Sequence, residues 1–173
     1  LDMTVGTVLW AFLVVPLAAH GFAILSHDAV HYRLFSSRRL NDIIGRGCGL
    51  VIGVSMCTYR VVHRLHHNHL YDRDLDPDLA LMAGYPRGKL YLFKKLAIDF
   101  TGITAYKNYS YFMGRPAKNA ETNKRIRPLD DTSPKLRNEA RQDRILVAVF
   151  HLTMLALAIA SGLWLQYLLL WFL

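Results

Sequence analysis

The sequence predicts an all-α protein: a transmembrane helical bundle with a cytoplasmic histidine-rich cap and interfacial amphipathic helices. Three observations carry that expectation. Two apolar runs, 3–25 and 145–173, contain no Lys or Arg, while all 21 basic residues fall between Arg33 and Arg144. Lys and Arg accumulate on the side of a membrane that is not translocated, so the basic middle reads as cytoplasmic. Six of the eight histidines crowd into "HDAVH" at 27–31 and "HRLHHNH" at 63–69. With 53% hydrophobic and 20% charged residues, the chain is neither an ordinary soluble domain nor a plain set of spans. The net charge of +8 does not mark a nucleic-acid binder, because ten acids interleave the bases between Arg60 and Arg144.

The first run, Met3 to Leu25, has 23 residues, enough at about 1.5 Å each to cross a hydrocarbon core of roughly 30 Å. It lacks the basic start and small-residue cleavage site of a signal peptide, so it is a transmembrane helix. The last run, Ile145 to Leu173, has 29 residues and would reach about 43 Å as one straight helix. "ASG" at 160–162 is the natural turn, giving a span over 144–160 and the start of a second at Leu163. Ser133 and Pro134 are a cap and first-turn pair, which starts that helix in the cytoplasm.

Leu40 to Tyr59 is apolar, but Arg46 and the glycines at 45, 47, 49 and 53 make it a poor span. If both histidine clusters serve one metal site they lie on one side of the membrane. Two crossings between them would need about 40 residues, and Tyr32 to Val62 supplies 31. The stretch is therefore expected to lie against the membrane or cap the site. Cys48 and Cys57 suggest small buried side chains and no disulfide framework. In "KLYLFKKLAIDF", Leu90, Phe93, Leu96, Ala97 and Phe100 share one helical face, which suits either an interfacial or a core helix. Residues 114–143 read as a polar linker.

Histidines four apart share a helical face, so His27 and His31 present two imidazoles to one point. His63, His66 and His67 repeat the arrangement at i, i+3 and i+4. Neutral imidazole suits Zn, Cu, Fe and Ni, and five such groups exceed the needs of one tetrahedral zinc. More than one metal is implied. A zinc protease needs H-E-x-x-H, where Asp28 stands here, and no second cluster. Carboxylate-bridged di-iron bundles use Glu-x-x-His pairs, and none occurs. "DRDLDPD" alternates acids like a calcium loop, but Pro77 replaces its glycine, so most of those aspartates are expected in a solvated loop. His20 and His151 fall within spans and are expected to bond backbone carbonyls.

On these residues the sequence resembles the membrane fatty acid desaturase family: "HDAVHYRLF" as a first histidine box, "HRLHH" as a second, "DPDL" shortly after it, and "KKLAIDFTGITAYK" beyond. The resemblance implies a di-iron, O2-dependent oxidoreductase that introduces a double bond into a lipid acyl chain. It implies His27, His31, His63, His66 and His67 as iron ligands, with no catalytic residue beyond them. Asp28, His69, Asp76 and Asp78 are the candidates to hold those ligands from behind. A ferredoxin or cytochrome b5-type protein would supply electrons to the cytoplasmic face. A hydroxylase or carotenoid ketolase with the same boxes is the alternative, and a membrane metal-binding or scaffold protein is the non-enzymatic one. The family's third box is absent. The whole of 1–173 therefore reads as one partial desaturase domain, inactive alone: span 3–25, cytoplasmic and interfacial region 26–143, and truncated hairpin 144–173. Leu70 and Tyr71 replace a polar pair usual after the second box.

Overall fold

The computed structural model describes residues 4–72, 74–78, 88–118, 124–130 and 132–171. The expected helix start at Met3, Leu79 of "DPDL" and the end of the hairpin at 172–173 lie outside those residues. In chain order the elements are α1 (Val5–Val30), α2 (Arg38–Val51), α3 (Met56–Asn68), α4 (Lys89–Asp99), α5 (Ala105–Phe112), β1 (Ala117–Lys118), β2 (Arg125–Ile126), α6 (Pro134–Ala160) and α7 (Trp164–Trp171). Among the described residues the architecture is all-α apart from the β1–β2 ladder, antiparallel with Ala117 opposite Ile126. The chain forms two compact units, 1–56 with 145–173, and 57–144.

In the first unit, α1 starts where Thr4 Oγ1 accepts from the Thr7 amide at 3.2 Å. Its 26 residues, with a mean hydropathy of 2.2 over the best window, are long and apolar enough to cross a membrane. Leu9, Phe12, Leu13 and Leu17 are more than half exposed, a surface that suits lipid and not water. Pro16 lies inside the helix, as spanning helices tolerate. α6, 27 residues long with a window at 1.8, is the second such helix among the described residues. Ser133 Oγ accepts from the Leu136 amide at 3.3 Å and opens α6 at Pro134, as the sequence suggests. The turn expected at 160–162 is present, with Gly162 at φ +72°.

α1 runs past Leu25 and carries His27 on its last turns. It stops in a Schellman motif, with Tyr32 N–H bonded to Ala29 O at 3.0 Å and Arg33 N–H to Asp28 O at 2.9 Å. The residue in the left-handed position is Tyr32, at φ +57°, where glycine is usual. α2 then folds back onto α1. Asn41, fully buried, ties the connection: its Nδ2 donates to Ala29 O at 2.9 Å and its Oδ1 accepts from Leu34 N–H at 3.2 Å. Two glycines permit the approach. A Cβ at Gly45 would lie 2.2 Å from Ala29 Cβ, and one at Gly49 2.6 Å from Val54 O. The glycines that argue against a span thus make a helix contact, as small residues four apart do in membrane bundles. α2 is only 14 residues, about 21 Å, too short to cross alone.

His151 meets its expectation. Its Nε2 donates to Leu50 O at 2.9 Å, which leaves Nδ1 to accept from Tyr167 O–H at 3.1 Å. His20 does not. It is exposed on α1 with no side-chain hydrogen bond among the described residues.

In the second unit, α3 begins against α6. Asp143 Oδ2 accepts from the Cys57 amide at 3.0 Å, and Thr58 Oγ1 donates to Ala140 O at 3.3 Å. A carboxylate at a helix N-terminus satisfies an orphan amide and suits the helix dipole. Both cysteines are buried and neither forms a disulfide. On α4 no residue is buried, and Leu90, Phe93 and Phe100 are each more than three-quarters exposed, which sets aside the core-helix alternative. Lys95 and Thr104 both bond the Asp99 carboxylate and hold its pKa below the usual carboxylate range.

Candidate functional site

Both histidine clusters occupy helix C-termini, where the unpaired carbonyls and the macrodipole favour positive charge. On α1, one helical turn separates His27 from His31, and their rings meet edge to face at 4.8 Å between centroids. His27 is half-buried and His31 exposed. Asp28 Oδ1 lies 3.8 Å from His27 Nδ1, beyond hydrogen-bond reach, with both side chains open to solvent.

On α3, the spacing i, i+3, i+4 brings His63, His66 and His67 onto one face. His63 is buried, and its Nε2 lies 3.0 Å from Nε2 of His67. The rings of His63 and His66 stack at 5.8 Å. His66 Nδ1 is bonded to Asp76 Oδ1 at 2.8 Å.

That bond sets Asp76 apart from the solvated loop expected for most of these aspartates. Asp76 is 1% exposed. The loop after α3 turns back through Tyr71, at φ +64°. Protein groups then replace water around the carboxylate: Tyr71 N–H donates to Oδ2 at 3.1 Å, and Asp78 N–H to Oδ1 at 2.9 Å. Asp78 Oδ2 lies 3.4 Å from His66 Nδ1, so His66, Asp76 and Asp78 offer three metal-ligating atoms within 4.8 Å of one another. Asp72 and Asp74 do fit the expected loop. Asp72 Oδ1 accepts from the amides of Asp74 at 2.8 Å and Leu75 at 3.0 Å, and Asp74 pairs with Lys124. The His69 side chain makes no hydrogen bond among the described residues; its amide closes the end of α3.

Sequence reasoning missed two tyrosines. Tyr111 O–H donates to Asp78, and Tyr111 is buried. Burial and the Asp78 carboxylate push its pKa well up, so it stays an O–H donor. Tyr59, one turn before His63, packs its ring 5.1 Å from that imidazole and edge to face on Phe112 at 4.9 Å. Burial, and then Asp78, raises its phenol to about 12. Tyr59 could have been found from the sequence, because it precedes His63 by four residues on the same face. No local pattern links Tyr111 to a carboxylate 33 residues earlier.

The fatty acid desaturase family profile matches residues 5–173. A Delta(8)-fatty-acid desaturase of Helianthus annuus is 34% identical over 67 residues, 38% of this chain and 15% of that protein's length. No solved structure matches the chain. A profile match over nearly every residue, on an all-α chain with two membrane-length helices and the two histidine boxes, decides the assignment: the chain belongs to the fatty acid desaturase family.

Proposed function

We propose that this protein introduces a double bond into a lipid acyl chain, with O2 as co-substrate and two iron ions held by His27, His31, His63, His66 and His67. The observation that carries the reading is the His63–His67 pair, Nε2 to Nε2 at 3.0 Å. The pair makes a hydrogen bond at a spacing that two nitrogens at right angles on one metal about 2.1 Å away would also have. His66, bonded through Nδ1 to Asp76, keeps Nε2 for a metal. All-imidazole donors suit iron. Bound iron supplies the oxidising power that an unactivated C–H bond demands.

The chain's own residues orient and enclose. We read Asp76 as fixing His66 and not as a ligand, because three of its roughly four acceptor sites are used, two on Oδ1 by His66 and Asp78 N–H and one on Oδ2 by Tyr71 N–H. Tyr111 steadies Asp78 in turn. Residues 3–25 and 144–173 serve as membrane segments of one desaturase domain, and 26–143 as its cytoplasmic and interfacial region. The confinement of every Lys and Arg to 33–144 supports histidine boxes on the cytoplasmic side. That basic face suits a ferredoxin or cytochrome b5-type electron donor.

The test is expression of the full-length gene in a host whose lipids are then compared by mass spectrometry, with iron per chain measured on the purified full-length protein. The expected result is a new double bond without added oxygen, lost together with iron in His31→Ala and His66→Ala. Oxygen added to carbon would replace desaturation by hydroxylation or ketolation. Unchanged lipids with bound metal would favour a metal-binding scaffold.

A further inference from the structure

The second unit holds an open pocket of about 540 Å³ outside the histidine cluster, lined among others by Tyr106, Tyr109, Met113, Arg115, Leu129 and Arg144. We propose that this pocket binds a phosphate group carried on a lipid or on a soluble ester.

Three features lead there. The pocket brings two guanidinium groups to one cavity, and among the described residues neither has a carboxylate partner. Each is anchored by one N–H only: Arg115 Nη1 donates to Tyr106 O–H at 2.8 Å, and Arg144 Nη1 to Met113 O at 3.2 Å. A guanidinium carries five N–H donors in a planar fork, so both keep donors for an oxyanion and gain from the charge between them. The second feature is position. Arg144 is the last charged residue before sixteen that contain no Asp, Glu, Lys or Arg, on a helix that continues into them. A span beginning after Arg144 would put that guanidinium at the level of the headgroups, where lipid phosphates lie.

The third feature is shape. Gly114 leaves α5 at φ +68°, and a Cβ there would lie 2.8 Å from Thr58 Cγ2 and 3.1 Å from Leu129 Cδ1. That close turn sets Arg115 beside a wall of Met113, Pro116 and Leu129. The volume greatly exceeds one phosphate, so the apolar wall would take the ester group attached to it. The inference deepens the proposed function by giving the lipid a phosphate headgroup. Its test reads binding and not turnover, so either can fail without the other.

Short-chain phosphatidic acid is titrated onto the purified full chain in detergent, with diacylglycerol of the same chain length as the neutral probe. Phosphatidic acid should bind more tightly, and Arg115→Gln and Arg144→Gln should each weaken it about tenfold or more. Arg125→Gln, away from the pocket, should leave it unchanged. Arg115 is exposed, so its variant is not expected to disturb folding. Displacement by inorganic phosphate alone would assign the site to soluble phosphate esters. Resistance to displacement would assign it to lipid. Equal binding of diacylglycerol, or unaltered affinity in both pocket variants, overturns the proposal.

Discussion

Replacing Gly45 by alanine should separate α1 from α2. The added Cβ would sit 2.2 Å from Ala29 Cβ and 2.6 Å from Met56 Sδ. The Met56 thioether can swing aside, but Ala29 is fully buried and its Cβ is fixed to the backbone. Ordinary carbon contact is about 3.8 Å, so the helices must part by roughly 1.5 Å. Overpacking of that kind costs about 1–3 kcal/mol, against a gain of up to about 1 kcal/mol from replacing a helical glycine. A net loss of roughly 2 kcal/mol is expected because the backbone has no room to yield. Gly47 is the control, since a Cβ there meets nothing within 4 Å; its alanine variant should gain up to about 1 kcal/mol. Cys48 is buried on the same helix, so with Cys57 replaced by serine a thiol-reactive dye followed during heating reads the opening of α2. At about 2–4 °C per kcal/mol for a chain of this size, the two variants should differ by roughly 6–12 °C. Equal midpoints, or a more stable Gly45→Ala, would refute the contact.

Tyr32→Gly should raise the unfolding midpoint in the same assay by about 2–4 °C, since Tyr32 bears about 1 kcal/mol of left-handed strain at the end of α1; a loss would mean that the Arg38 guanidinium over its ring outweighs the strain. Asp76→Asn should lower iron affinity about 10- to 100-fold while the protein stays folded, because His66 loses its charged acceptor. Unchanged iron content would mean that Asp76 does not orient a ligand, and iron loss with a shifted metal spectrum would make it a ligand. Cysteines placed at the exposed positions Ser36 and Asn68 should react with an impermeant label only from the cytoplasmic side, over a low background from the two buried native thiols. Reaction of either from the opposite side would overturn the assigned topology.

How far the fold was legible follows from which interactions are local. The two spans declare themselves through charge segregation, and the α6–α7 turn through Gly162 and the length limit. The caps at Ser133 and His151's bond to a carbonyl followed from residue type. What escaped the sequence is pairing at distance. Gly45 and Gly49 read as a disqualified span because nothing nearby names Ala29 and Val54 as the atoms they accommodate. Asp76 is, from the sequence, a candidate to hold a ligand from behind, but no local pattern says that it is buried while Asp72 and Asp74 stay solvated. Its burial depends on a tyrosine in a left-handed conformation, which no propensity would place there.

That strain bears on the site. Tyr32 follows His31 directly, and Tyr71 lies four residues beyond His67; both hold positive φ where glycine would cost nothing. Tyr71 spends its amide on Asp76, and Tyr32 spends its own on closing α1 beneath His27 and His31. Residues in sparsely populated backbone regions persist only where their surroundings over-determine them. In both places those surroundings include the last turn of a histidine-bearing helix, whose free carbonyls already favour a cation. A glycine at either position would relax the backbone and loosen the loop that fixes the imidazoles. If the histidines hold the metal proposed above, that strain is a cost of fixing their nitrogens in place.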